Sequence, residues 1–473
     1  MIDRHPVFEQ IEKDFSEHIQ EVQRFIRQPS VSVDGNGVQE MAQIVLEKIK
    51  SLGAECRLVR LKGFPEGFPI VHGYLDAGTA RTVLFYELYD VQPASAEGWI
   101  SPPFAGKLDD VPGQGMSVVG RGAFNSKGCL AGFLNVLEAF KRAGRGFPVN
   151  VIFMIEGEEE IGSNSLPAFV DSHQNELRKA DCVYQPYFGE NSRGKTVISF
   201  GFKGLVNLEL TCSGGEWGGP AKRDIHALHS AWIGNPAWRL VKALSTMKDE
   251  EGQILIPGFY AGIAQPGAEE NQLLQELEKT FDSSTILQEQ GAQNFMWPEL
   301  RGVELLKKAL YEPSLNINGI YSGYCGVGIN TIIPQEACVK MDIRLVPGME
   351  PEQVLEALRC HLDQQGYSDI TIKVFNAYPG SKTLTSNPAA KALVEGVKDW
   401  APGEVEIWPF YAGAAPHYLF SRVLGLPVAF GGLGHGGRSH STNEYVTIDG
   451  LKRHEKGIAS FMLRYGGMNN GKS

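Results

Sequence analysis

No stretch of this chain approaches the roughly 18 consecutive apolar residues that a membrane span requires, which excludes an integral helical membrane protein. Basic clusters are missing too. The 473 residues carry 44 Lys and Arg against 55 Asp and Glu, a formal net charge of -11, with no basic run or stripe; nucleic acid and anionic membrane are therefore excluded as partners. Cysteine is sparse and unpatterned: seven residues, at 56, 129, 182, 212, 325, 338 and 360, odd in number and without Cys-x-x-Cys spacing. That rules against a disulfide framework or a thiolate zinc site and favours free thiols in a reducing cytoplasm. The opening Met1-Ile2-Asp3-Arg4-His5 has no cationic segment leading into an apolar core, so no signal peptide is expected. Internal repeats and low-complexity tracts are absent, and a disordered tail is expected only in the last few residues.

What is present is patterned for an α/β fold. Val7, Ile11, Phe15, Ile19, Val22 and Ile26 recur at helical steps, as do Met41, Ile44, Val45, Ile49 and Leu52, predicting two amphipathic helices. Strands are predicted over 55–61 and 82–91, a helix over 128–143, and a near-continuous apolar strand over 149–155, the signature of a buried parallel sheet. Near Lys195 the pattern changes. Two neighbouring strand-like runs, 196–202 and 205–211, flank Lys203-Gly204; a helix follows Asn235-Pro236, a polar stretch covers 265–300, and strand, helix and strand follow at 337–345, 351–365 and 370–375. This reads as an α+β unit inserted into a mostly parallel core, with the core at 1–200 and 384–473 and the insert at 201–383. The core resumes with a helix after Asn387-Pro388 and ends through the glycine-rich loop 431–437.

Acidic and imidazole groups collect in a few short motifs: Glu87-Leu88-Tyr89-Asp90-Val91-Gln92-Pro93, Gly120-Arg121-Gly122-Ala123-Phe124-Asn125-Ser126-Lys127-Gly128, Glu156-Gly157-Glu158-Glu159-Glu160-Ile161-Gly162-Ser163, and His440-Ser441-Thr442-Asn443-Glu444. Their order and wording resemble the di-zinc metallopeptidase family of acetylornithine deacetylase, succinyl-diaminopimelate desuccinylase and carnosinase, over nearly the whole chain. The resemblance implies a general base at Glu159, a metal ligand at Glu160 and another at His440, with Asp90 orienting a ligand two residues before it. At that earlier position this chain has Leu88, on the same strand face as Asp90. The bridging carboxylate of the family falls on Asn125, and a further ligand falls on Tyr187 if 181–184 is the preceding strand. Zinc takes about four N, S or O donors, three of them from protein in a catalytic site. The first ion would thus have only Leu88, Asn125 and Tyr187, and the second Asn125, Glu160 and His440. The expected cofactor is accordingly none, or at most one weakly bound Zn or Mn. Without metal, Asp90, Glu159 and Glu160 repel one another, which pushes one or more toward protonation.

The same resemblance implies other roles. His226, in Asp224-Ile225-His226, corresponds to a lid histidine that stabilises an oxyanion in the partner subunit, although Ala227-Leu228-His229-Ser230 replaces the family's glycine-rich stretch. Arg344 corresponds to a guanidinium gripping the substrate carboxylate, with Asn330 and Thr331 nearby. The loop Tyr411-Ala412-Gly413-Ala414-Ala415-Pro416 keeps Gly413 beside the substrate but loses a Glu and a hydroxyl. Asp90, Glu159 and His226 are then the catalytic candidates; Arg344, Thr331, Asn330, Gly413, Tyr187 and Asn125 the substrate-binding ones; Glu160 and His440 the metal ligands. Glu87 and Ser126 are weaker candidates for new chemistry. Three readings follow: metal-independent acyl or aminoacyl transfer, amide formation, cyclisation or isomerisation on an acylated amino acid or dipeptide, which the missing ligands favour; a mononuclear-metal amidohydrolase or dipeptidase; and a non-catalytic binding protein. A cytoplasmic homodimer is expected in each case.

Overall fold

A computed structural model describes residues 5–64 and 67–468. Residues 1–4, on which the signal-peptide reading depends, and the terminal residues 469–473 lie outside the described part. Among the described residues no helix is long and apolar enough to cross a membrane.

The apolar run beginning at Asn150 becomes a fully buried strand, Asn150–Glu156, in the middle of an eight-stranded sheet. Thr82–Leu88 pairs with it in parallel, and Cys182–Gln185 with Thr82–Leu88. Val428–Gly431 continues the parallel run, whereas Glu55–Val59 and Ile70–Leu75 close one edge antiparallel. Alternation divides the central strand between two cores. Val83 and Phe85 face the layer of helices that contains Lys127–Arg142, where Phe85 stacks on Phe133, while Leu84 and Tyr86 face Leu166–Leu177.

A second sheet, antiparallel except where Tyr411–Ala414 joins it in parallel, forms the inserted α+β lid. Its middle strands are Glu336–Leu345 and Gly201–Ser213, flanked by Ser314–Ser322 and Thr371–Tyr378. Helices Pro236–Ser245 and Pro351–Gln364 cover one face over a core of its own. Asn235 accepts from the Ala237 N–H and Asn387 from that of Ala389, so each Asn-Pro pair caps the helix it precedes. Two expectations need correction. Lys203-Gly204 does not separate two strands, since Gly201–Ser213 runs straight through it; a Cβ on Gly204 would lie 2.6 Å from the Tyr378 carbonyl oxygen, so the glycine permits close backbone approach rather than a turn. The polar stretch also holds helices, Ala268–Glu278 and Ser283–Glu289, the first with Glu270 accepting from the Gly267 N–H.

Behind the sheet, His417 and His454 are buried, and burial lowers their pKa values to about 3 and about 4. His417 shares a 2.6 Å hydrogen bond with Gln185. Both imidazoles are neutral when folded, whereas in the unfolded chain they titrate near 6.5. Between those limits the unfolded state binds the extra protons, so this contribution to stability is present above pH 6.5 and lost as pH falls. Buried Glu87 and Glu156, held protonated by desolvation, act in the opposite sense. A difference measurement isolates the histidine: the stability of wild type minus that of His417→Phe should fall by about 1.4 kcal/mol per pH unit from 6.5 to 4. Urea unfolding of both proteins across that range checks this, and a pH-independent difference would contradict a neutral His417.

Candidate active site

The cluster forms where two parallel strands end. After Asn150–Glu156 the chain turns through Gly157, where a Cβ would sit 2.4 Å from the Tyr89 ring, into a short 3-10 turn, Glu159–Ile161. Three consecutive carboxylates then take separate directions. Glu158 is buried and accepts from the Phe68 and Ser165 N–H groups, which pins the turn. Glu159 faces a cavity, and Glu160 faces Asn125 and His440. Asp90, fully buried, accepts from the backbone N–H groups of Glu159 and Glu160 at 3.3 and 3.0 Å. Burial raises its carboxyl to about 7 against the opposing pull of those hydrogen bonds. Asp90 therefore braces the loop instead of orienting an imidazole.

Glu160 Oε1 lies 2.8 Å from Asn125 Nδ2, and its two oxygens lie 3.2 and 3.1 Å from His440 Nε2. Asn125 Nδ2 is 3.1 Å from the same imidazole nitrogen. Gln92 fixes the remaining orientation of Glu160 by donating to Oε2 at 2.9 Å and to the main-chain oxygen at 3.0 Å. The position of Asn125 is itself set from below: Glu444 Oε1 accepts from the Phe124 and Asn125 N–H groups, and its Oε2 pairs with Arg121 at 2.6 Å. Glu159 makes no side-chain hydrogen bond among the described residues. Burial, then Glu160 and Asp90, push its carboxyl up to about 8, with His440 pulling the other way.

Leu88 is buried and Tyr187 packs against Phe124 and Phe430 with ring centroids 5.3 and 5.6 Å apart. Desolvation holds the Tyr187 phenol far above its ordinary range, so Leu88, Asn125 and Tyr187 supply no anionic donor. These three do not fit an ion. Glu160 and His440 supply a carboxylate and an imidazole; Asn125 turns Nδ2 toward both and Oδ1 toward Ser126, so it would complete the set for an ion with its amide turned over, the two ends being alike in shape. Among the described residues no group of three His, Cys, Asp or Glu gathers as a cage, so the amide oxygen is needed as third donor.

The remaining candidates are divided. Ser126 is buried and touches the cluster by donating to Asn125 Oδ1, whereas Glu87 is buried with one oxygen on the Leu88 N–H. Arg344, on the lid strand, is held by Asp342 at 3.2 Å. Gly413 lies in Tyr411–Ala414, just before Ala415 and Pro416 in the cavity wall. His226 pairs across the strand with Ile332, the neighbour of Asn330 and Thr331, and its Nδ1 accepts from the Leu228 N–H. No hydrogen bond joins this lid edge to the Glu159–Glu160 cluster among the described residues. Gln92, Asn376, Tyr378 and Tyr418 were not singled out by the sequence. Gln92 alone had a signal, its place in the motif around Asp90.

Residues 84–464 match the profile of Peptidase family M20/M25/M40. The chain is 31% identical to a Cys-Gly metallodipeptidase of Schizosaccharomyces pombe, covering 96% of each, and 28% identical to the human Beta-Ala-His dipeptidase, covering 83% of this chain and 75% of that one. An M20 family metallo-carboxypeptidase of Sulfolobus solfataricus superposes with a TM-score of 0.86 at 29% identity, covering 96% of this chain and all of the other. The metallodipeptidase and the metallo-carboxypeptidase among these relatives contradict the expectation of no cofactor. They also favour the dipeptidase alternative over metal-independent acyl transfer. The second-ion set implied by the resemblance, Asn125, Glu160 and His440, is brought together by the fold.

Proposed function

We propose that this chain, which belongs to peptidase family M20/M25/M40, hydrolyses the amide bond of a dipeptide-like substrate with one divalent metal ion at Glu160, His440 and Asn125. The observation that carries the reading is the meeting of those three side chains at mutual separations of 2.8 to 3.2 Å, next to Glu159 on the same turn. What such an ion supplies when bound is a lowered water pKa and a polarised carbonyl. Glu159 takes the proton from the attacking water and returns it to the departing amine. Gln92 and Asp90 hold Glu160 and the turn in register. Arg344 engages the substrate carboxylate through a guanidinium suited to that planar group.

His226, Asn330 and Thr331 serve the cleft of a second copy. The reason is local: Trp232, Val327 and Ile329 around them are 72%, 100% and 94% exposed, apolar surface that a homodimer would cover. The seven free thiols suit a cytoplasmic location.

Stripping the protein with a chelator should lower dipeptide hydrolysis at least about 100-fold. Zinc or manganese should restore it, with calorimetry saturating at one ion per chain. Two tightly bound ions would require donors beyond Glu160, His440 and Asn125 and would defeat the single-ion reading, and activity indifferent to chelation would defeat the proposal.

A further inference from the structure

Past Glu159 the cleft opens into a cavity of about 250 Å³ between core and lid. Asn164 and Pro167 wall it on the core side, and Asn376 and Tyr378 on the lid side. Tyr418, from the core, stacks on Tyr378 with centroids 5.7 Å apart and planes 9° from parallel, so the two units meet in one offset aromatic pair at the cavity wall. The polar walls are oriented as well. Asn376 Oδ1 accepts from Asn207 at 2.9 Å, which turns its NH₂ the other way; that nitrogen lies 3.8 Å from where a Cβ on Gly162 would stand. Gly162 thereby leaves open the space opposite the amide. Asn164 donates its own NH₂ to the Ile161 carbonyl, and its oxygen remains as an acceptor. Among the described residues no lysine or arginine lines the cavity.

An aromatic pair beside one amide donor and one amide acceptor matches the face and edge of a planar ring. We infer that this cavity is the subsite for a substrate side chain bearing an aromatic or heteroaromatic ring, packed against the Tyr378–Tyr418 pair with Asn376 at its edge. The inference rests on the hydrolytic reading above and deepens it. The reacting amide lies at the Glu159 end, and the side chain of one of the two residues extends away from it. A carboxylate would find no cationic partner here and would lose its hydration, which disfavours acidic residues at this position.

The test uses the full-length, metal-loaded protein on two dipeptide series, X-Gly and Gly-X, with X as Gly, Leu, Phe, Tyr, His, Lys or Glu. In one series, kcat/KM for the ring-bearing substrates should exceed that for Leu and Gly at least about tenfold, chiefly through KM. Tyr418→Ala and Asn376→Ala should bring the ratio of ring substrate to Gly-Gly close to one, whereas Tyr418→Phe should keep it. An unchanged ratio in both alanine variants, or an equal preference for Lys or Glu, overturns the subsite. If wild type hydrolyses none of the dipeptides, the hydrolytic reading fails by itself. Calorimetric binding of Phe-Gly, Gly-Phe and Gly-Gly then decides the subsite: a ring preference lost in Tyr418→Ala sustains it, and equal binding of all three removes it.

Discussion

Replacing Glu159 by Gln should lower kcat for dipeptide hydrolysis by about 10³-fold, within the range ascribed to a positioned proton-transfer group, while leaving metal stoichiometry and dipeptide binding in place. The expectation follows from how the three carboxylates of the turn are used. Glu158 is committed to two backbone N–H groups, and Glu160 to Asn125, Gln92 and His440. Of the three, Glu159 lines the cavity between core and lid with no side-chain partner among the described residues. Its carboxyl is raised to about 8 by burial and by its acidic neighbours, and a nearby cation moves such a group back toward neutrality, where a base both accepts and releases protons. The Gln variant preserves shape and the backbone contact to Asp90, so circular dichroism and metal content serve as controls. A loss of less than tenfold would remove Glu159 from the chemistry. Loss of the metal together with activity would instead make its role structural.

Arg121→Ala should destabilise the catalytic core by about 3 to 5 kcal/mol, the usual consequence of leaving one member of a buried ion pair alone. Arg121 and Glu444 are 4% and 0% exposed in their side chains, and burial already raises the Glu444 carboxyl. Without the guanidinium, Glu444 either carries an uncompensated charge or takes up a proton, and the N–H groups of Phe124 and Asn125 lose a full carboxylate as acceptor. The damage therefore reaches the metal donors, and metal affinity should fall in parallel with the urea midpoint. A stability change under 1 kcal/mol would show that Glu444 is held by those N–H groups alone.

Much of the architecture could be read because it depends on periodicity. Val151 to Ile155 had to be a buried strand, and Asn235-Pro236 and Asn387-Pro388 had to start helices, since each signal is local. Lys203-Gly204 was misread for an equally physical reason: a glycine that admits a neighbouring backbone looks in one dimension like a glycine that turns the chain. The site was legible where one motif carried a residue, as at Asp90, Glu159 and His440. Asn125 stood with Glu160 and His440 in the second-ion set, but the direction of its amide, with Nδ2 toward both partners, exists only after strands from distant parts of the chain come together. Tyr378 and Tyr418 lay beyond reach because neither residue type implies a cleft, and their stacking joins the lid to the core.

The crossing between those two units has a mechanical consequence. Gly201–Ser213 leaves the core and Thr371–Tyr378 returns to it side by side, with Leu205 opposite Tyr378 and Phe202 opposite Ser381. The two connections thus form one hydrogen-bonded ribbon. At the same crossing Gly201–Ser213 also pairs with Tyr411–Ala414 of the core, so the join is a narrow sheet that resists stretching and in-plane bending more than twist. Motion of the lid should act like a torsion bar, turning the rings and amides of the far wall about the ribbon axis while their distance from the turn at Glu159 stays nearly fixed.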